Sequence, residues 1–428
     1  MRSVKAGLIT SALLTPLLVV ATTLAQAAPA GATTRGGGGH QALFVAKNAS
    51  PSGSGQSCST ARYPTIRSAL KAAPPGAAVV VCPGKYHEQV VIKKPVSLIG
   101  IHATINESGV TPSYIAHVPH VGKLKIFAGV VIVSSHVRVR GFTVKNALGE
   151  GILAAGVLGT ISGISIEHNA VVHNDLGGGV PPVSGYFECA AEGQVPGDCG
   201  EGVHFLSVAW SQVSGNYIAD NSGGVLLTDE TGPTHNNVVA NNVVTGNASD
   251  CGVTVPGHNP AALSKSGKLQ PAVAGVYRNA IVHNVITNNG NKGEGAGVLF
   301  ANAGPGTASY NNLVAGNYIA GNELAGVTMH AHTVKPGQHE YLSGNKIIGN
   351  KIGPNNLGGD PLDFPASPKD TRTTGVLVFS GGTPVSTVIA HNRIFGNHFG
   401  IWLSKPVKAF GLGTNYFHRV RIPVSAGH

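Results

Sequence analysis

The chain has 428 residues, with 29 Lys and Arg against 19 Asp and Glu, a formal charge of +10, and only 11% charged residues, well under the usual quarter. No dense Lys/Arg cluster interleaved with aromatics appears, which argues against a nucleic acid partner. The 60 glycines, with much Asn and Val, suit a stacked β solenoid. The positive balance either favours polyanions such as uronate polysaccharides or wall polymers, or is merely scattered.

The N-terminus reads as a secretory signal peptide over 1–27. Arg2 and Lys5 precede an apolar run from Leu8 to Leu24, broken at Pro16, and Ala25-Gln26-Ala27 is a small-x-small cleavage site. An anchor helix is the weaker alternative, because Pro16 and the threonines interrupt a run barely long enough to span. No other stretch reads as a membrane span. A flexible Gly-rich linker is expected over 28–42 and a folded domain over 43–428, outside the cell. The cysteines fit export. Cys58 and Cys82 lie near the start of the folded region, Cys189 and Cys199 bracket a short loop, and Cys251 is left over. None has metal-ligand spacing, so disulfides are expected, although spacing alone does not fix their connectivity.

Tyr63 to Ala73 reads as a short amphipathic helix: Pro64 stands at its start, Ile66, Ala69, Leu70 and Ala73 share a face, and Pro74-Pro75-Gly76 stops it. Strands follow at Val79–Val81, Gln89–Ile92 and Pro95–Gly100, with a turn at Gly84–Glu88. A helix laid across the end of a β stack would supply the cap a solenoid needs. The run PTIRSALKAAPPGAAVVVCPGKYHEQVVIKKPVSLIG resembles the N-terminal cap and first coil of right-handed parallel β-helix proteins, including the pectin lyase-like superfamily and NosD-like proteins. Gly84, Tyr86 and Glu88 are also similar to the first signature of pectin methylesterases, whose later signatures are absent here. The resemblance implies an all-β fold, a single right-handed parallel β-helix of about ten coils with a short N-terminal capping helix.

The residues beyond it support the same architecture. A phrase recurs seven times in which an aliphatic residue stands three before an Asn, another stands two after it, and a second Asn follows five later. The first Asn is Asn169, Asn216, Asn242, Asn284, Asn317, Asn345 and Asn392; the second is Asn174, Asn221, Asn247, Asn289, Asn322, Asn350 and Asn397. Such self-similarity marks a repeat array. Each unit is expected to hold three short strands, and stacked Asn side chains would form hydrogen-bond ladders at the corners. The third strand begins after a Gly, as in Gly151-Ile152, Gly202-Val203 and Gly224-Val225, where Gly is expected to allow a tight corner. The Asn columns are therefore read as structural.

Function is sought where the array departs from its period, at 175–201, 253–275 and 351–374. Two of these long stretches fall at one corner and would wall a groove, unless they are simply tolerated insertions. Alternation along the third strands points one column outward: Leu153, His204, Leu226, Thr254, Leu299, Thr328, Leu377 and Trp402. A second outward column holds Thr228, His330 and Phe379. The candidate catalytic residues are Glu201, His204, Asp229, Glu230 and Asp250, expected to cluster on neighbouring coils, because glycoside cleavage needs two placed carboxyl groups. The competing reading is that acidic residues simply end up at solvated turns. His330, Phe379, Trp402 and Lys405 are the candidate substrate-binding residues, the aromatics for stacking on sugar rings or else for covering the end of the stack. A uronate lyase needs a base and a cation, and Arg278, Lys292, Arg393 and Lys405 are available. No cofactor is expected, and no acidic nest of the kind Ca²⁺ requires is seen. The chain is thus expected to act on an extracellular polysaccharide, with polyanionic ones among the candidates, as a lyase or glycosidase; the alternative is a non-catalytic surface or glycan-binding scaffold.

Overall fold

The computed structural model describes residues 42–118, 122–175, 201–291, 295–331, 337–357 and 372–427, all within the unit Arg35–His428. The expected signal peptide, Cys189, Cys199 and Lys292 lie outside the described residues, as do nearly all of the linker and most of the 175–201 and 351–374 stretches. Strands from successive coils pair in parallel into a 21-stranded sheet, an 11-stranded sheet and a five-stranded sheet, and a two-stranded hairpin lies apart. This is the expected right-handed parallel β-helix, with eleven rungs in the sheet of third strands where about ten were expected. The five-stranded sheet, running from Ile161–Ser162 to Ser309–Tyr310, is a fourth strand column not anticipated from the phrase.

The core is a stack of aliphatic columns. Val171, Ile218, Val244, Ile286, Ile319, Ile352 and Ile394 register rung upon rung, all fully buried. Around them run the Asn ladders. Asn284 donates its main-chain N–H to Asn317 Oδ1 at 2.8 Å, and its Nδ2 donates to Val239 O and Asn317 Oδ1. Its own Oδ1 accepts from the main chain and side chain of Asn242. The residue before each such Asn turns left-handed: His168, Gly215, Asn241, His283, Gly316, Gly349 and His391 all have φ between 51° and 66°. His, Asn and Gly tolerate that region best.

One repeat needs correction. Asn345 continues a third ladder from Asn312, Asn350 continues the first from Asn317, and Asn355 the second from Asn322. The phrase read at Leu342–Asn350 is therefore one column out of register, and Ile347 pairs with Val314. The three ladders are themselves five residues apart, so Asn-x4-Asn matches in two registers. The corner glycines also have a different reason from the one expected. Gly202 and Gly252 have ordinary φ, but a Cβ on either would stand 2.3 Å from Ile218 Cγ2 or Ile286 Cγ2. Close approach to the aliphatic column, not a tight turn, requires them.

At the N-terminal end the helix spans Ile66–Ala72. Thr65 caps it by accepting from Ser68 N, and the Glu88 carboxylate takes the N–H groups of Ile66 and Arg67 at 2.8 and 2.9 Å. Tyr86 is buried and donates to Cys82 O. The Gly84–Tyr86–Glu88 element thus fastens the cap. Ile66, Ala69 and Leu70 join the core and close the open end. Cys58 and Cys82 form a disulfide, and Cys251 is a buried free thiol. Among the described residues no helix is long and apolar enough to cross a membrane.

Each interior Asn serves both neighbouring coils, so removing one strands buried donors and acceptors on either side. Asn284→Ala is expected to cost about 2–4 kcal/mol in urea unfolding, and Asn415→Ala, on the half-exposed last rung, about 1 kcal/mol.

Candidate functional site

The outer face of the 11-stranded sheet carries the polar residues that the core does not explain. Coil stacking brings His204 of the strand Val203–Leu206 beside the next strand, Val225–Thr228, through the pairs His204↔Leu226 and Leu206↔Thr228. His204 is wholly buried. Its Nδ1 lies 3.3 Å from Glu150 Oε1, and its Nε2 lies 2.8 Å from Thr228 Oγ1. Glu230 sits two residues beyond Thr228, and its Oε1 accepts from His258 Nδ1 at 2.8 Å. The result is a row, Glu150–His204–Thr228–Glu230–His258, in which Thr228 links two acid–imidazole pairs drawn from four coils.

An acidic corner adjoins the row. Glu150 and Glu201 precede the stacked corner glycines Gly151 and Gly202. Gly223 fits between Glu201 and Asp250: a Cβ there would meet Glu201 Cγ at 3.0 Å and Asp250 Oδ2 at 3.2 Å. Asp250 also accepts from Thr254 Oγ1, and Asp175 accepts from Ser222 Oγ. Burial, with Glu150's charge adding, pushes the Asp175 carboxyl up to about 8 against that Ser222 bond. Glu150, Glu201 and His204 place one ligand atom each within 4.8 Å of one another, a size and donor set that a divalent cation could use.

The five candidate catalytic residues are therefore only partly brought together. Glu201, His204, Glu230 and Asp250 lie along the row and its corner. Asp229 points elsewhere and staples the 253–275 stretch: Oδ1 accepts from His258 N and Asn259 N at 2.8 and 3.1 Å, and Oδ2 from Gly275 N at 2.6 Å. Burial and then Glu230's charge raise Asp229 to about 7, while these N–H groups favour its charged form. For Glu230 burial acts upward, but the hydrogen bond and charge of His258 outweigh it and hold the carboxyl down to about 2. The competing reading of solvated turns does not describe Glu201, Asp229 and Asp250, which are all less than 5% exposed.

The candidate binding residues form no open platform. His330 is buried on the strand Val327–Ala331, in register with Phe379. Phe379 and Trp402 are buried in an apolar cluster with Ala325, Leu377 and Phe399. Lys405 is exposed just beyond the strand Phe399–Leu403. Sequence reasoning missed Glu150, Asp175 and His258 as site members. For Glu150 a signal existed, since it precedes Gly151 as Glu201 precedes Gly202.

This geometry defines a parallel β-helix protein with a buried acid–imidazole row on one sheet. Residues 48–270, which include the whole row, match the family described as protein of unknown function DUF1565, and the chain belongs to that family. Among solved structures, the A-module of the Azotobacter vinelandii mannuronan C-5 epimerase AlgE6 is similar at 17% identity and TM-score 0.51, over 85% of this chain and 91% of that one. An alginate lyase from Paenibacillus sp. str. FPU-7 gives 12% identity and TM-score 0.47, over 84% and 96%. Pectate lyase Pel9A gives 14% and 0.38, over 72% and 75%. These likenesses are of fold. No curated protein matches the sequence.

The buried acids set the pH response. Glu107 has both carboxyl oxygens buried without a hydrogen bond among the described residues, and burial pushes it from the usual 4.5 up to about 8. A carboxyl raised in the folded state binds its proton more tightly there, so stability falls as pH climbs from about 4.5 to about 8. Glu230 has the opposite sign: its contribution is present above about 4.5 and lost as pH falls toward 2. Glu107→Gln should therefore raise the urea midpoint at pH 9, reduce the loss of stability between pH 5 and pH 9, and have little effect at pH 5.

Proposed function

We propose that this chain is an exported protein that acts on an acidic extracellular polysaccharide by β-elimination, with His258 as the base. The observation that supports this is the Glu230–His258 pair. Glu230 Oε1 accepts a hydrogen bond from His258 Nδ1, and in the neutral imidazole that bond leaves Nε2 as the basic nitrogen. His258 is also the most accessible imidazole of the row, at 10% side-chain exposure against 0% for His204. In the proposed step Nε2 takes the proton alpha to the uronate carboxyl. The electron pair forms the new C=C bond, and the glycosidic C–O bond breaks, its oxygen taking a proton from water as the leaving chain departs. His204 and Thr228 brace Glu230 from behind, and the acidic corner holds His204. The polysaccharide-active proteins sharing the fold make this class of substrate a natural one, while the activity rests on the pair.

A second reading, a glycan-binding scaffold without chemistry, draws support from the burial of Glu201, His204, Asp229 and Asp250. One assay separates the two. The purified chain is incubated with polygalacturonate, alginate and a neutral arabinan, and the ultraviolet absorbance of the unsaturated product is followed. Product from an acidic glycan is expected, with a loss of at least about a hundredfold in His258→Ala and in Glu230→Gln. Retention of a glycan with no product from any of them would favour the scaffold, and full activity in both variants would remove the pair from the mechanism.

A further inference from the structure

The 21-stranded sheet has an outer face of its own, and one column of that face is apolar where a solvated solenoid would be polar. Tyr217, Val243, Val285 and Tyr318 register on successive coils and are between 36% and 47% exposed, where polar residues would be expected. The next rungs of the same column are Lys351, Arg393 and Tyr416, the last 58% exposed. At about 4.8 Å per rung the seven residues make a track of about 29 Å, a length that suits a polymer better than a small molecule.

The C-terminal end of the track is a cleft of about 380 Å³ lined by Lys351, Arg393, Phe395, Tyr416 and His418. Its cations lie over aromatic rings. Lys351 Nζ is 5.3 Å from the centre of Tyr318 and 5.6 Å from that of Phe395, and the Arg393 guanidinium is 5.7 Å from that of Tyr416. These contacts orient the charges without neutralising them. Among the described residues neither Lys351 nor Arg393 pairs with a carboxylate.

We propose that this cleft and the track leading to it are a second, non-catalytic site that binds an acidic polysaccharide. A uronate unit offers both things the surface asks for. Its carboxylate meets a cation, and the apolar C–H face of its ring lies on an aromatic ring or on the exposed valines. Two cations on adjacent rungs match a chain that carries one carboxylate per sugar. A neutral glycan would leave both cations unmatched. The inference takes only its ligand class from the reading of function above and does not depend on the chemistry at His258.

The test is affinity electrophoresis of the full chain through gels containing polygalacturonate or alginate, with dextran as the neutral reference. Retardation by an acidic gel and not by dextran is expected. The double variant Lys351→Ala/Arg393→Ala should bind at least tenfold more weakly, and Tyr416→Ala, which removes no charge, should also be weakened. All three substitutions are at the surface, so unfolding midpoints should match the wild type. Unchanged retardation of the double variant, or no retardation of the wild type, would overturn the proposal. So would unweakened binding by Tyr416→Ala together with equal affinity for duplex DNA, since the surface would then act only as a positive charge. Loss of binding with product formation from short oligosaccharides intact belongs to this site; loss of product with binding intact belongs to the Glu230–His258 pair.

Discussion

The hydrogen bonds between Asn side chains on successive coils are the constraint on which the rest of the structure depends. Each interior Asn joins the coil above to the coil below through both its amide and its main chain. The ladders turn the corners of a stack whose interior is a column of aliphatic residues and whose corner glycines pass within a methyl's reach of that column. Buried amides in such a place are stabilising only when every donor and acceptor is met, which makes the register of the stack all but unique. A coil cannot slip by one residue without breaking ladders and burying the wrong face.

That fixed register explains how residues far apart in the chain come to share a site. Glu150, His204, Thr228 and His258 lie on different coils, yet each occupies a place the stack assigns to it, so their separations follow from rung spacing. The cations of the 21-stranded sheet follow the same rule: Lys351 and Arg393 stand one rung apart because their strands pair. A solenoid repeated for structure can thus carry two unlike surfaces. One is a buried row of acids and imidazoles, and the other an exposed track of tyrosines and valines with two cations near its C-terminal end.

Much of this was legible in the residues. The aliphatic columns, the Gly-initiated third strands, the capping helix and the structural character of the Asn columns all follow from local pattern, because burial and pairing repeat with each coil. The register at Leu342–Asn350 was not legible, since ladders five residues apart make one phrase fit two columns. The acidic corner was only half legible. Glu201 stood out, whereas Glu150 and Asp175 sit at positions the repeat aligns, before Gly151 and after Asn174, and no local pattern marks them as acids buried at one corner. Asp229 looked like half of an acidic pair, and its three backbone partners come from a stretch outside the repeat. Phe379 and Trp402 were placed on the outer face, but alternation says which way a side chain points and not what lies upon it.

The central claim is that the stack holds the Glu230–His258 pair where a uronate chain can meet it. The most direct measurement is a crystal structure of the His258→Ala variant soaked with an acidic oligosaccharide. The account predicts a sugar ring against the outer face of the 11-stranded sheet, with its carboxyl-bearing carbon facing the position vacated by the imidazole. Sugar bound only elsewhere on the solenoid, with that face unvisited, would contradict it.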